Sequence, residues 1–345
     1  MVEFAHSQSQ YDLLDLTRKG LPMKDQLILL TGATGFIGGR LLRRLQEQGI
    51  RLRCLVRSPK KFQTLYPSLS YIELAEGDLV QGTGLKMALQ GVQAAYYLVH
   101  SMGPSPGSVS QGFAEKDRQA AQNFKSAAEE AGLKRVIYLS GLGEKGSGLS
   151  KHLSSRQEVG QILASGAVAA TELRAGVIIG SGGASFEIIR YLTERLPVMV
   201  ASRWVDTRCQ PIAVENVLDY LAGCLEVPET AGQVFEICGP GQFSYRELML
   251  KYARVRGLKR LILTVPFLTP RLSSYLVQLV TPIPGSLVQP LIGGLKNKVI
   301  CRDTRIHDLI SVKLIPMEEA ICTALNEEEQ GPGALPSRQA CFFSE

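Results

Sequence analysis

The sequence predicts an α/β protein, a doubly wound parallel sheet followed by a smaller, mostly helical C-terminal region. Three observations carry this expectation. Short apolar runs alternate with helical periods over the first 240 residues. The first run, LILLT at 27–31, opens directly onto a glycine-rich turn, TGATGFIGG. The pattern over 113–131 places Phe113, Ala120, Ala121, Phe124, Ala127, Ala128 and Ala131 on one helix face, small enough to lie close on a sheet.

Taken in order, Ile37, Leu41, Leu42 and Leu45 recur at helical spacing after the glycine turn, and strands are expected at 51–56 (RLRCLV) and 70–74 (SYIEL). A helical pattern at 83–90 leads to a strand at 94–99 (AAYYLV), where Tyr96 and Tyr97 alternate and at least one faces the core. Gly132 ends the 113–131 helix, and a strand follows at 135–139. Then come a helix over 152–163, a strand at 171–179 (TELRAGVII), a glycine turn at 180–183, a helix over 184–195, a helix within 211–225 and a strand at 233–238. The expected organisation is a flexible extension over 1–24, the sheet domain over 25–240, a lid or substrate region over 241–325 to which 180–203 contributes, and a flexible tail over 326–345.

Composition excludes several function classes. The net charge of +6 is mild and its cations are dispersed, which argues against nucleic acid as a partner. Seven cysteines occur singly among only four histidines, so neither a metal site nor a disulfide framework is expected, and a reducing cytoplasmic compartment fits. Residues 1–22 are polar and contain no apolar core of signal-peptide length. Residues 272–295 carry no charge, but Pro282, Pro284 and Pro290 interrupt them, which argues against a spanning helix. They are expected to roof a hydrophobic pocket with Phe267, Leu268 and Tyr275, or, as part of 261–295, to touch a membrane surface or a protein complex peripherally.

The strongest motif is Thr31-Gly32-Ala33-Thr34-Gly35-Phe36-Ile37-Gly38. A dinucleotide pyrophosphate needs bare backbone N–H groups at a helix N-terminus, and Gly32, Gly35 and Gly38 supply them between a strand and a helix. Thr31, Thr34, Phe36 and Ile37 complete the expected cradle. At the end of the second strand, LVRSPKK offers Arg57, with Ser58 and Lys60 near it, where an acidic residue would select NAD. NADP is therefore favoured over NAD. Asp78 and Leu79 in EGDL are placed at the adenine edge, with helix capping as the alternative for Asp78.

These segments resemble the extended and atypical branch of the short-chain dehydrogenase/reductase superfamily. TGATGFIGG, EGDL, the Asp117–Asn123 helix, RVIYLSG, ELRAGVIIGSG and PIAVENV fall in that branch's order over residues 25 to about 240. YYLVHSMG, LSKHLSSRQEVG, SFEIIRYLTERLPVM and LTPRLSSYLVQLVTP look like a bacterial group of NAD(P)-binding proteins related to NmrA-like regulators and to the nucleotide-binding accessory subunit of respiratory complex I. The resemblance implies a Rossmann domain with a C-terminal substrate region, and a catalytic Tyr and Lys four residues apart assisted by a serine.

Ser140 matches that serine, but the pair itself is replaced by His152 and Arg156. An imidazole donates protons near neutral pH, whereas an arginine holds a ribose or phosphate without shuttling protons. His100, at the end of the fourth strand, is a second catalytic candidate, and Arg174, Arg203 and Arg208 with Gln210 flank the expected cleft. Three functions stay open on the sequence: NADPH-dependent reduction of a hydrophobic carbonyl or quinone, nucleotide binding without turnover in a regulator or assembly protein, and isomerase or epimerase chemistry with recycled cofactor.

Overall fold

A computed structural model describes residues 26–69, 71–101, 112–143, 149–265 and 270–329. In chain order the elements are β1 (Leu27–Thr31), α1 (Phe36–Glu47), β2 (Arg51–Val56), α2 (Pro59–Leu65), β3 (Glu73–Glu76), α3 (Leu85–Leu89), β4 (Val92–Tyr97), α4 (Phe113–Glu130), β5 (Arg135–Gly141), α5 (Lys151–Ala164) and β6 (Ala169–Ala175). They continue as β7 (Ile178–Ile179), α6 (Ala184–Arg195), β8 (Val198–Ala201), β9 (Arg208–Cys209), β10 (Ile212–Ala213), α7 (Val214–Glu226), β11 (Val234–Ile237), β12 (Phe243–Ser244), α8 (Tyr245–Val255) and β13 (Leu261–Thr264). The last helices are α9 (Pro270–Val280), α10 (Gly285–Gly294), α11 (Ile306–Leu309) and α12 (Met317–Glu329).

The main sheet has seven strands in the order β11-β6-β5-β4-β1-β2-β3, all paired in parallel. Its strands are buried on both faces, as their nearly unbroken apolar runs require. One layer packs Leu41, Leu45, Val217 and Leu221 of α1 and α7 on the sheet, and the other packs Ala120, Ala121, Phe124 and Ala128 of α4. The strand order reverses between β1 and β4, and ligands of such sheets bind at the carboxyl ends of the strands at that point. Tyr96 and Tyr97 are both core: Tyr96 donates to the Leu221 carbonyl at 2.9 Å, and Tyr97 stacks edgewise on Phe124 and Tyr138.

Several sequence expectations are corrected. The strand expected over 171–179 is two strands, because Gly176 approaches the Gln210 carbonyl too closely for any side chain and the chain then leaves the main sheet to pair Ile178 with Ile212. The third strand lies at Glu73–Glu76, later than the 70–74 expected. Cys238 and Cys301 form a disulfide across 63 residues, which their isolated positions in sequence gave no reason to expect. The chain after α10 returns along β9, where the Gln210 N–H donates to the Val299 carbonyl at 2.7 Å and Glu236 accepts from the Arg302 and Asp303 N–H groups, and this brings Cys301 to the end of β11. Residues 326–329 are helical rather than tail: Glu327 pairs with Arg40 at 2.7 Å and Glu328 pairs with Arg190. The expected flexible segments 1–24 and 330–345, and Phe267 and Leu268, lie outside the described residues.

Candidate active site

The turn between β1 and α1 is built for close approach. Gly32 has φ +75°, and a Cβ there would sit 2.6 Å from the Leu98 carbonyl oxygen. A Cβ on Gly38 would collide with the Gly32 carbonyl, so neither position admits a side chain. Gly35 is the residue before α1, and no side chain caps the helix. The first N–H groups of α1 therefore remain available, at the positive end of the helix dipole, and Thr34 beside them is exposed. Phe36 and Ile37 are half-buried; Phe36 packs toward Gly180 and Gly183 under the Arg40 guanidinium, 4.6 Å from its ring. These features fit a dinucleotide pyrophosphate.

Most of the other expected cofactor-binding residues have contacts within the protein. Thr31 is fully buried and ties β1 to β4, donating from Oγ1 to the Tyr96 carbonyl at 3.0 Å and accepting from the Leu98 N–H at 3.1 Å. Asp78 accepts from the Val80 and Gln81 N–H groups at 2.7 and 3.1 Å within the turn after β3, not at the next helix, which starts after Gly84 with no side-chain cap, and Leu79 is in the core. Asn123 of α4 donates to the carbonyls of Leu79 and Val80 at 2.9 Å each, fixing that loop. Arg57 is exposed just beyond β2 and has no partner among the described residues.

His100, at the end of β4, and His152, in the first turn of α5, meet. The His100 Nε2 and His152 Nδ1 atoms are 3.2 Å apart, and His100 Nδ1 is 2.9 Å from Asp117 Oδ2 on α4. Asp117 is buried, and its other contacts fix it: Oδ1 accepts from the Ser101 N–H at 2.8 Å and Oδ2 from the Ser155 hydroxyl at 3.1 Å. An ionised carboxylate only accepts, so His100 carries its hydrogen on Nδ1. A neutral His100 then accepts at Nε2 from the His152 Nδ1–H, which leaves His152 Nε2 bare. When the pair takes up one proton, His100 Nε2–H donates instead, and His152 Nε2 bears the hydrogen. A proton gained on the far side of His152 thus appears as charge on His100, beside Asp117.

The electrostatics agree with this division. Burial, then the nearby Arg156 charge and His100, push His152 down to about 3. Burial and Arg156 also lower His100, but its hydrogen bond to Asp117 works against them. Burial raises the Asp117 carboxyl, yet the hydrogen bonds from His100 and Ser101 outweigh it and its net shift is downward. A proton taken up by the pair is therefore better held on His100, beside Asp117, than on His152.

His152 is also part of the wall of a cavity of about 140 Å³. Its lining is largely apolar, with Ile188, Leu192, Trp204, Met249 and Ile292 opposite the backbone of Gly141 and Gly176. With Nδ1 held by His100, Nε2 is the nitrogen left to this space. The roof is α10, through Pro290, Leu291 and Ile292, rather than Tyr275, which is 60% exposed.

Ser140 is buried one residue before the cavity wall, its hydroxyl without a well-formed hydrogen bond among the described residues. Arg156, one turn beyond His152, lies 6.0 Å from the Tyr138 ring, and its buried Nε has no acceptor. The other arginines expected at the cleft take structural pairs: Arg174 with Glu172 at 2.9 Å and Arg208 with Glu247 at 3.0 Å. Gln210 spends its side chain on the Gly239 carbonyl and the Cys301 N–H, while Arg203 is exposed. Sequence reasoning passed over Asp117 as a functional residue. Its signal was present, because Asp117 occupies the apolar stripe of α4 between Phe113 and Ala121, where a carboxylate needs a buried partner.

The fold and the glycine cradle define an NAD(P)-binding Rossmann protein. Residues 32–190 match a family model described as NAD(P)H-binding. The chain is 26% identical over 241 residues to a ceramide reductase of Caulobacter vibrioides, covering 70% of this chain and 74% of that protein. It is 32% identical over 133 residues to a putative dihydroflavonol 4-reductase of Synechocystis, spanning only 34% of either. Among solved structures it superposes on a nucleoside-diphosphate-sugar epimerase of Staphylococcus aureus with a TM-score of 0.68 at 14% identity, covering 86% of this chain and 99% of that one. An NADPH-dependent quinone oxidoreductase of Escherichia coli in complex with NADPH gives 0.67 at 22% identity, covering 87% and 100%. At these identities the superpositions speak for the fold alone.

Proposed function

We propose that this protein reduces a carbonyl group on a hydrophobic molecule, with NADPH as the preferred cofactor and His152 as the proton donor. The observation that carries the reading is the relay Asp117–His100–His152 ending in the wall of an apolar cavity. The nicotinamide, when bound, supplies the hydride that goes to the carbonyl carbon. His152 Nε2–H gives its proton to the carbonyl oxygen while His152 Nδ1 takes one from His100 Nε2–H. His100 ends neutral, its Nδ1–H still on Asp117, so no step leaves a charge on His152, the imidazole without a carboxylate partner. The apolar lining keeps water from the reacting carbon.

Gly32, Gly35 and Gly38 would admit the pyrophosphate, and Arg156, with no acceptor of its own, would hold the ribose or a phosphate. Arg57 supports the NADP preference, because it is an exposed, unpaired guanidinium at the end of β2. The ceramide reductase among the relatives supports a long-chain substrate for the apolar cavity.

The test is NADPH consumption by the full chain with long-chain ketones, ketosphingoid bases and quinones. Turnover with at least one class is expected, with kcat/KM rising toward acid pH by up to about tenfold per unit, since both imidazoles are held below their ordinary range. Tight nucleotide binding with no turnover on any class would instead support the regulator reading.

A further inference from the structure

Outside the active site, the described residues carry two neighbouring apolar patches. β8 and β13 pair only with each other, in register Leu261↔Val198 and Leu263↔Val200. Met199, Ala201 and Ile262 turn inward and are buried, while Val198, Val200, Leu261 and Leu263 face out, each 45% exposed or more. Next to them lies α9, whose Tyr275, Leu276 and Leu279 are exposed on one face while Ser274 and Val277 are buried on the other. The two patches are joined: Arg195, just before β8, donates to the Val280 carbonyl at the end of α9 at 2.6 Å. Seven large apolar side chains on one surface exceed what scattered exposure explains.

The segment that carries β13 and α9 is rich in cations, of which Lys251 and Arg256 pair with Glu318 and Glu194. From Leu248 to Arg302 the chain contains no Asp or Glu, but it contains nine cations: Lys251, Arg254, Arg256, Lys259, Arg260, Arg271, Lys296, Lys298 and Arg302. The net +9 of this stretch exceeds the +6 of the whole chain, so the remainder is negative. Lys259 and Arg260 lead directly into β13. Arg260 spends its guanidinium on the carbonyls of Thr193, Glu194 and Lys259, so its charge is not neutralised by a carboxylate. Exposed Lys259 and Arg203, at the two ends of the ribbon, have no partner among the described residues.

We propose that this face docks on an anionic membrane surface, with the β8–β13 ribbon and α9 lying in the interface and the cations meeting lipid phosphates. An apolar face with Lys259, Arg260 and Arg203 at its edges, none of them neutralised by a carboxylate, fits an anionic bilayer. No described helix is long and apolar enough to cross a membrane, so the contact is interfacial. α9 packs on α10, which roofs the cavity, so docking sets the roof against the lipid. This last consequence rests on the proposed function. The docking itself does not, and it is tested by binding rather than turnover.

The experiment is co-sedimentation of the full chain with phosphatidylglycerol/phosphatidylcholine vesicles and with pure phosphatidylcholine vesicles. Binding to the anionic vesicles is expected, falling steeply between 0.05 and about 0.5 M salt as exposed charges are screened. Lys259→Glu should weaken it by more than about fivefold, the factor expected for losing one interfacial cation, and Leu261→Asp with Leu263→Asp should abolish it. Both sites are exposed, and far-ultraviolet circular dichroism checks that the variants fold; the salt and lipid dependence of the unaltered protein stands as a second measurement. Failure to bind anionic vesicles, equal binding to neutral ones, or binding untouched by these variants would overturn the proposal and assign the face to a protein partner. NADPH turnover in detergent-free buffer is read separately, so a non-binding but active protein refutes docking alone.

Discussion

Replacing His152 with Gln should alter how stability depends on pH. In the native protein burial, Arg156 and His100 hold the His152 imidazole at about 3, against about 6.5 in an unfolded chain. Below pH 6.5 the unfolded state takes up a proton that the folded state refuses, so acid progressively destabilises the fold down to pH 3. Between pH 7 and pH 5 this amounts to about 2 kcal/mol from His152 alone. Asp117 contributes nothing in that window, because its carboxyl is held below 3.8 and its stabilisation is lost only at lower pH. Glu215 works in the opposite direction: burial raises it to about 7, so its folded form binds a proton as pH falls through 7, and it stabilises by a similar amount by pH 5. His100, also held below its ordinary range, adds acid destabilisation of its own, so the diagnostic is a difference between proteins rather than the native curve. In urea unfolding at fixed ionic strength, His152→Gln should gain about 2 kcal/mol on the native protein on going from pH 7 to pH 5. Glu215→Gln should lose a comparable amount over the same interval. Parallel curves for the native protein and His152→Gln would refute the buried, neutral imidazole and the relay built on it.

Arg57→Glu should weaken NADPH binding on the order of a hundredfold while leaving NADH within a few fold, as measured by isothermal titration, since only the 2′-phosphate meets the new carboxylate. Cys238→Ser with Cys301→Ser should lower unfolding stability by about 4 kcal/mol, the loop-closure value for a bridge spanning 63 residues, measured under non-reducing conditions.

The sheet was legible because parallel strands buried on both faces read as unbroken apolar runs, and LILLT, RLRCLV and RVIYLSG lie in the strands they predict. The glycine cradle was legible because close approach allows few residues at Gly32 and Gly38. What stayed hidden depends on contacts between distant segments. His100 and His152 are 52 residues apart, and nothing local to either one indicates that their rings meet. Thr31, at the start of the glycine motif, and Leu79, in EGDL, both face the core, because a motif fixes the backbone path and leaves its flanking side chains to packing. Tyr275 and α10 were interchangeable as roofs on the sequence, since an uncharged stretch shows neither which helix turns inward nor where Pro284 redirects the chain. The disulfide and the short β7–β10 pair likewise follow from the return of the C-terminal chain, not from local pattern.

The relay's claim on chemistry is tested most directly by His152→Gln in single-turnover NADPH oxidation with a hydrophobic ketone that the native protein reduces. A glutamine cannot take the proton that His100 would hand on, so the rate should fall roughly 10²- to 10⁴-fold, the usual contribution of a positioned acid, with NADPH affinity unchanged within a few fold. An unchanged rate at unchanged affinity would contradict the assignment of His152 as the proton donor.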